Sequence, residues 1–362
     1  MTLREMTSTM HRHISDWPPE IAALLRRGTV IPAHLLALDA SRKLDARRQR
    51  ALTRYYIDAG AGGIAVGVHA TQFAIREAGL YGLVLRLAMD AMREWTERPM
   101  VMIAGLAGRT DQACSEAELA RELGYHGGML SLGVMKGVPE DEIIAHCVAV
   151  SRVMPLVGFY LQPAVGGIPL SAGFWQRFAE IDNVVAIKIA PFNRYRTLDV
   201  VRGVVAARAE ERIALYTGND DHILLDLVTP YSIPRGHERV SVRIVGGLLG
   251  QWSVWTRSAV QLLSRAHAAV SSGVVPLDLL ELDARITDAN SAFFDVAHDF
   301  AGCIAGCHEV LRRQGLLEGI WCLDANEALS PGQAVEIDRV MSAYPELDDT
   351  EFVRANLARW LS

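Results

Sequence analysis

The chain has 362 residues, half of them apolar, and a formal net charge of −6 with a pI near 6.0. This composition favours a folded chain with a large core, and the acidic balance argues against binding to nucleic acid or to an anionic membrane. The five cysteines are an odd number and do not suggest a disulfide framework. No apolar run approaches the roughly 18 residues of a membrane span, and Met1–Trp17 lack a signal-peptide core. We therefore expect a cytoplasmic protein.

Short apolar runs alternate with longer stretches that have helical apolar spacing. The predicted strands are Val30–Leu38, Gly63–Val68, Met100–Leu106, Gly128–Leu132, Leu156–Leu161, Val184–Ile189, Ile213–Thr217 and Val242–Leu248. The predicted helices include Ala46–Ala59, Thr110–Leu123, Pro139–Val153, Ser171–Ile181 and Thr197–Ala209. This alternation predicts an α/β fold, a (β/α)8 TIM barrel. A doubly wound sheet is the competing interpretation, but no G-x-G-x-x-G turn follows the first strand.

The rhythm of strands and helices ends at Ser271-Ser272-Gly273. Beyond it, residues 276–315, 331–343 and 349–361 have helical patterns, and no strand is predicted. We therefore divide the chain into an N-terminal extension (1–27), the barrel (28–272) and a C-terminal helical region (273–362).

Lys188 lies within the apolar run Val184–Ala190, where an unpaired ammonium is costly. Burial lowers the pKa of a lysine, and a neutral amine can attack a carbonyl to form a Schiff base. The alternative is a strand-end lysine whose amine simply extends to water. Tyr160 ends the preceding strand, and its phenol is able to move protons for such chemistry. The alternative for Tyr160 is a half-buried ring whose hydroxyl bonds the backbone.

The segment Gly158–Ala164, with Lys188 following Tyr160 by 28 residues, resembles the dihydrodipicolinate synthase / N-acetylneuraminate lyase family. Gly60–Gly63, Gly105, Thr217–Asp220 and the stretch 315–330 also match, so the resemblance spans roughly residues 28–345. It implies a class I aldolase-type barrel in which Lys188 forms an imine with a keto substrate and Tyr160 relays protons. It also implies no cofactor, no metal and a homo-oligomer, either a tetramer or a dimer.

The chain departs from the family pattern at three places. The loop Gly67–Gln72 lacks the aligned hydroxyls that hold a pyruvoyl carboxylate and has Thr71 in place of a glutamate. Leu132–Met135 replaces the strand-four tyrosine, and Val165 stands where an arginine is expected. These departures argue against the lysine-pathway synthase activity and leave the keto substrate open.

Several residues at the predicted strand ends are candidates for substrate binding. His69 could donate a hydrogen bond to the substrate or act as a base, or it could simply be bonded within its loop. Asn219 and Asp220 are more typical of helix capping at the rim of the pocket. Cys303, Cys307 and His308 have a spacing that suggests a metal, but apolar packing is the better interpretation. The candidate substrate-binding residues are Val68, His69, Gly218, Asn219 and Gly247.

The sequence therefore predicts a Schiff-base lyase or aldolase that acts on a 2-keto acid or a related keto compound. One alternative is a non-catalytic barrel that binds a small metabolite. Another is a Schiff-base decarboxylase or dehydratase, because fold alone does not choose among these reactions.

Overall fold

A computed structural model describes residues 12–362 of the chain. Eight parallel strands form a nearly closed barrel in the order β1-β10-β7-β6-β5-β4-β3-β2, and the bridge between Ala33 and Ala65 joins β1 to β2. This confirms the predicted (β/α)8 barrel. The strands are β1 (Val30–Pro32), β2 (Gly63–Val66), β3 (Val101–Leu106), β4 (Gly127–Leu130), β5 (Leu156–Leu161), β6 (Val184–Ala190), β7 (Ala214–Thr217), the hairpin β8 (Tyr231–Arg235) and β9 (Glu238–Val242), and β10 (Ile244–Leu249).

Helices surround the barrel and follow it at the C-terminus, as the sequence predicts. None of those between residues 12 and 362 has the length and apolar character needed to cross a membrane. They are α1 (Pro19–Arg27), α2 (Ala46–Ala59), α3 (Tyr81–Trp95), α4 (Thr110–Leu123), α5 (Glu140–Ser151), α6 (Ala172–Ala179), α7 (Arg194–Ala206), α8 (Ile223–Val228), α9 (Thr256–Ser272), α10 (Leu277–Phe293), α11 (Cys303–Arg313), α12 (Gln333–Ala343) and α13 (Thr350–Trp360).

Most predicted bounds lie within two residues of those in the structure, and two elements differ by three or more. The first strand ends at Pro32 rather than Leu38, because the apolar run beyond it is buried as irregular chain. The seventh helix begins at Arg194 rather than Thr197, because the Asn193 side chain accepts the Arg196 N–H and so caps the first turn.

The antiparallel hairpin β8–β9 was not predicted. It precedes the last barrel strand and pairs Ile233 with Val240. Its strands alternate between half-buried and exposed positions, so the apolar signal is weak.

The N-terminal segment closes the amino-terminal end of the barrel. Trp17, Ile21 and Leu25 are buried with the residues that fill the barrel interior. Tyr216 on β7 belongs to the same interior cluster, and its hydroxyl donates to the Leu25 carbonyl at 2.8 Å. The predicted extension thus includes α1, which packs on the barrel, whereas residues 1–11 of it lie outside the described residues. The boundaries at 27 and 272 stay predictions.

A buried hydrogen-bond network links the C-terminal helical region to α2. The Tyr55 hydroxyl donates to Asp349 at 2.7 Å and accepts the Thr256 N–H at 2.8 Å. Asp349 also accepts hydrogen bonds from the Arg257 N–H and the Gln314 amide. Tyr55 therefore joins the barrel to both α9 and the turn before α13.

We expect Tyr55→Phe to lower the free energy of unfolding by about 1–3 kcal/mol, because it leaves the buried Thr256 N–H without its acceptor and removes one of the hydrogen bonds that Asp349 accepts. The neighbouring Tyr56→Phe is the matched control, since among residues 12–362 the buried Tyr56 hydroxyl makes no hydrogen bond of normal geometry and has the Leu35 backbone nearby. Denaturant titration of both variants checks this. Equal losses in the two variants would contradict the role given to Tyr55.

Candidate active site

A cavity of about 70 Å³ lies at the carboxyl-terminal end of the barrel strands. Strand ends and loops form its floor and sides, as expected for this fold. The chain between α10 and α11 and the first turns of α11 line it from the C-terminal side. Its lining residues are Ala33, Leu35, Val68, His69, Ala70, Phe159, Leu161, Gln162, Val165, Lys188, Ala190, Phe192, Gly218, Asp220, Gly250, Phe294, Phe300, Cys303, Ile304 and Cys307.

Lys188 lies on the inner face of β6 and lines this cavity, as predicted. Its neighbours Ile187 and Ile189 belong to the core between strands and helices, because successive strand residues face opposite sides. The Lys188 Nζ is 4.6 Å from the centroid of the Phe159 ring. No hydrogen bond or ion pair joins this nitrogen to the residues that the structure describes.

Gly218 leaves space beside it for the Lys188 side chain. A β-carbon at position 218 would lie 2.6 Å from Lys188 Cε, which is closer than real contacts allow. Gly218 therefore lines the cavity as predicted, and its role there is to leave space for the lysine.

Burial of Lys188 lowers its pKa from 10.5 to about 8, opposed by the negative charge of Asp220. Burial also raises the pKa of Asp220 above its usual range, and Lys188 opposes that shift. Asp220 is anchored through one carboxylate oxygen, which accepts the Gln251 N–H at 3.0 Å. Its backbone carbonyl accepts the Asn290 amide. Lysine and aspartate thus influence each other across the cavity without direct contact.

The loop after β2 brings Val68 and His69 to the cavity, as predicted. His69 is half-buried, and its ring packs edge-on against Phe73 at 5.9 Å. Burial and the Lys188 charge lower the pKa of His69 to about 4, so the ring is neutral near pH 7. Thr71 shapes the loop instead of lining the cavity: its hydroxyl donates to the His34 carbonyl at 2.6 Å and accepts the Gly67 N–H at 3.0 Å.

Tyr160 does not line the cavity that Lys188 lines, whereas the sequence analysis placed both side chains at neighbouring strand ends facing one pocket. Phe159 is the residue that pairs with Lys188 across β5 and β6, so Tyr160 faces the helices. Its hydroxyl is 3.2 Å from both the carbonyl oxygen and the amide nitrogen of Leu170, and its ring packs 5.1 Å from Trp175. This is the alternative in which the hydroxyl bonds the backbone.

Asn219 and Gly247 also lie outside the cavity lining, in contrast to the prediction. The Asn219 side chain accepts the Phe192 N–H at 3.0 Å and donates to Asp226 at 2.8 Å. A β-carbon at Gly247 would lie 2.4 Å from the Trp252 ring, so this glycine serves packing. Asp220, expected to cap a helix, lines the cavity instead.

The sequence analysis missed the C-terminal contribution to the site. Cys303 and Cys307, one helical turn apart, present their side of α11 to the cavity. Burial raises the pKa of both thiols, so they remain protonated and are poor nucleophiles. Phe294 and Phe300 contribute from the chain before α11. No local pattern marks these residues, because only tertiary contact brings them to the barrel.

Comparison with solved structures agrees with this architecture. Dihydrodipicolinate synthase from Oceanobacillus iheyensis is 15% identical with a TM-score of 0.71, covering 90% of this chain and 99% of that one. The lysine-bound Cyanidioschyzon merolae enzyme is 19% identical with a TM-score of 0.70, covering 88% and 98%. N-acetylneuraminate lyase from Fusobacterium nucleatum is 14% identical with a TM-score of 0.69, covering 88% and 99%. At these identities the likeness concerns the fold alone.

Among curated protein sequences, none matches this chain. The model of the dihydrodipicolinate synthetase family matches residues 26–230, more than half of the chain. This range includes every barrel strand from β1 to β7 and the lysine on β6. The chain therefore belongs to the dihydrodipicolinate synthetase family.

Proposed function

We propose that this protein is a class I aldolase-type enzyme that forms a Schiff base between Lys188 and a 2-keto acid or a related keto compound. The observation that carries the proposal is a buried amine of lowered pKa that lines a cavity at the carboxyl-terminal end of the barrel strands. Family membership supports aldolase-type chemistry. By the same analogy we propose a homo-oligomer that works in the cytoplasm without a cofactor.

The reaction begins with the neutral Lys188 amine. Its lone pair attacks the carbonyl carbon, so that a C–N bond forms as the C=O π bond breaks. A proton then passes from the nitrogen to the oxygen and gives a neutral carbinolamine. Protonation of the carbinolamine hydroxyl then breaks the C–O bond. Water leaves, and the nitrogen lone pair forms the C=N bond of a protonated imine. That imine withdraws electrons from the adjacent carbon, so that a C–C or C–O bond there can be broken or formed.

We assign the proton transfer in carbinolamine dehydration to Asp220. Its protonated carboxyl donates to the departing hydroxyl, and the resulting carboxylate balances the positive imine. Asp220 lines the same cavity as Lys188, and no hydrogen bond or ion pair joins the two described side chains. The Gln251 N–H fixes one carboxylate oxygen, and no residue between 12 and 362 bonds the other. Tyr160, to which the resemblance assigns this relay, is buried against Trp175 and is replaced by Asp220 in our proposal.

Borohydride reduction in the presence of small keto compounds should trap an adduct on Lys188. The chain contains two other lysines, the exposed Lys43 and Lys136, which serve as internal controls in peptide mass spectrometry. We expect Lys188→Ala to lose both the adduct and turnover. Ligand binding that survives in Lys188→Ala, with no trapping or turnover in the native protein, would instead support a non-catalytic binding barrel.

Acylation by a dilute amine reagent should report the pKa of Lys188 directly. Because burial lowers that pKa to about 8, we expect Lys188 to reach half-maximal labelling at a lower pH than free Nα-acetyl-lysine. Asp220→Asn removes the negative charge that raises the lysine pKa, so the midpoint should fall further. Mass spectrometry of labelled peptides across a pH series measures both shifts; a rise in Asp220→Asn would contradict the interaction.

Substitution at position 220 separates the two candidates for proton transfer. We expect Asp220→Asn to slow imine formation by about 10²- to 10⁴-fold, the usual contribution of a general acid or base. Tyr160→Phe should keep a rate close to that of the native protein. Stopped-flow detection of imine formation makes the comparison. The opposite pattern would return the relay to Tyr160.

Product analysis separates an aldolase from a decarboxylase or a dehydratase. All three reactions use the same imine and therefore predict the same trapping result. Release of an aldehyde, carbon dioxide or water from the trapped substrate class identifies the bond that breaks.

A further inference from the structure

Two phenylalanines at the cavity have a backbone conformation that bulky residues rarely adopt. The backbone φ is +51° at Phe192, which follows β6, and +68° at Phe300, which precedes α11. Both residues line the cavity with Lys188, and their rings pack edge-to-face with centroids 5.7 Å apart. A left-handed backbone is costly at side chains of this size, and such strain is concentrated at functional sites. The fold therefore accepts strain on both sides of this aromatic contact.

Hydrogen bonds from the barrel hold Phe192 in place. Its N–H donates to the side-chain oxygen of Asn219 at 3.0 Å. The Asn219 amide nitrogen donates in turn to the buried Asp226 at 2.8 Å and to the Thr197 hydroxyl at 3.3 Å. Asn219 thus supports the wall of the cavity from behind.

A separate set of hydrogen bonds holds Phe300 within the C-terminal region. Its N–H donates to the Asp295 carbonyl at 3.1 Å. The Asp295 carboxylate accepts the Gly302 N–H at 3.0 Å and the Ser330 hydroxyl. It also pairs with Nδ1 of His298 at 2.6 Å. Because two independent networks place the two rings, the aromatic contact is built into the backbone of both segments.

The wall behind these rings lacks polar groups. The C-terminal region contributes five of the described lining residues, and none has a hydroxyl, an amide or a charge in its side chain near pH 7. They are Phe294, Phe300, Cys303, Ile304 and Cys307. By contrast, Lys188, His69 and Asp220 all come from the barrel. A ligand hydroxyl or amide placed against the C-terminal wall would lose its hydrogen bonds to water without replacement, which is costly.

We infer that Phe192 and Phe300 determine specificity by receiving an apolar chain of the keto acid beyond its reacting carbonyl. This inference rests on the proposed function and names the part of the substrate that the proposal leaves open. The carbonyl carbon lies at Lys188, and the chain extends to the aromatic pair and α11. A 2-keto acid with an aliphatic or aromatic chain fits this arrangement, whereas hydroxyl, amide or charged groups on that chain do not.

Pairs of keto acids of similar size and with the same carboxylate test the inference: 2-oxobutanoate against 3-hydroxypyruvate, and 4-methyl-2-oxopentanoate against 2-oxosuccinamate. The measured quantity is the concentration that gives half-maximal borohydride trapping on Lys188, corrected for the reactivity of each compound with Nα-acetyl-lysine. We expect each apolar member to reach half-trapping at a concentration about 10- to 100-fold lower, the usual discrimination of an apolar pocket against an isosteric polar group. Equal trapping, or preference for the polar member, overturns the inference.

Phe300→Asn places an amide in the wall, and Phe300→Leu is the apolar control. Asparagine adopts a left-handed backbone more readily than phenylalanine, so the substitution is compatible with the local fold. We expect Phe300→Asn to reduce the preference for the apolar members at least about fivefold, whereas Phe300→Leu keeps it. Phe192→Asn makes the same comparison from the barrel side, because the hydrogen bond to Asn219 comes from the backbone. Loss of the preference in either asparagine variant supports the assignment, and an unchanged preference in both overturns it.

Binding to Lys188→Met, followed by the shift in Tm, separates this inference from the imine proposal. If the apolar members stabilise this variant more than the polar ones, the inference stands even when no keto acid is trapped on the native protein, and only the imine proposal fails. If the polar members stabilise it equally or better, the inference is overturned, whereas trapping on the native protein still supports the imine.

Discussion

The site depends on the burial of one amine. Water stabilises an ammonium strongly, and the apolar walls around Lys188 remove that stabilisation, so the neutral amine becomes accessible near physiological pH. The same burial acts in the opposite sense on Asp220 and raises its pKa. Burial therefore favours the uncharged form of both groups. An arginine in place of Lys188 would stay charged and give no such chemistry.

Several separate parts of the chain maintain this low-polarity cavity. The barrel supplies the strand ends, Gly218 leaves a path for the lysine stem, and the C-terminal helices cover the top. At the opposite end, α1 seals the barrel with Trp17, Ile21 and Leu25. The hydrogen bonds of Tyr55 and Asp349 hold the last helices in register with the barrel. Residues far from Lys188 thereby help to hold the parts of the chain that bury it.

The local sequence pattern was sufficient to predict the fold and the position of Lys188 at the cavity. The regular alternation of apolar runs and helical stretches predicted the barrel, and the charge within Val184–Ala190 singled out the lysine. Whether Tyr160 faces the barrel interior or the helices could be decided only from the register between β5 and β6. A register shift of one residue turns each side chain of a strand to the opposite face. The hairpin β8–β9 has too weak an apolar signal to be seen. Phe294, Phe300 and Cys303 reach the cavity only through long-range packing, which no local pattern encodes.

The C-terminal cover of the cavity has a thermodynamic consequence. Any ligand held between Lys188 and α11 touches two parts of the molecule that are joined by packing and hydrogen bonds. Such a ligand binds the docked arrangement better than an open one, so by linkage it must strengthen the docking of the C-terminal helices on the barrel. Conversely, a substitution that loosens those helices weakens ligand affinity without altering a single group that the ligand contacts. Ligand binding at the cavity and docking of the C-terminal helices on the barrel are therefore coupled equilibria.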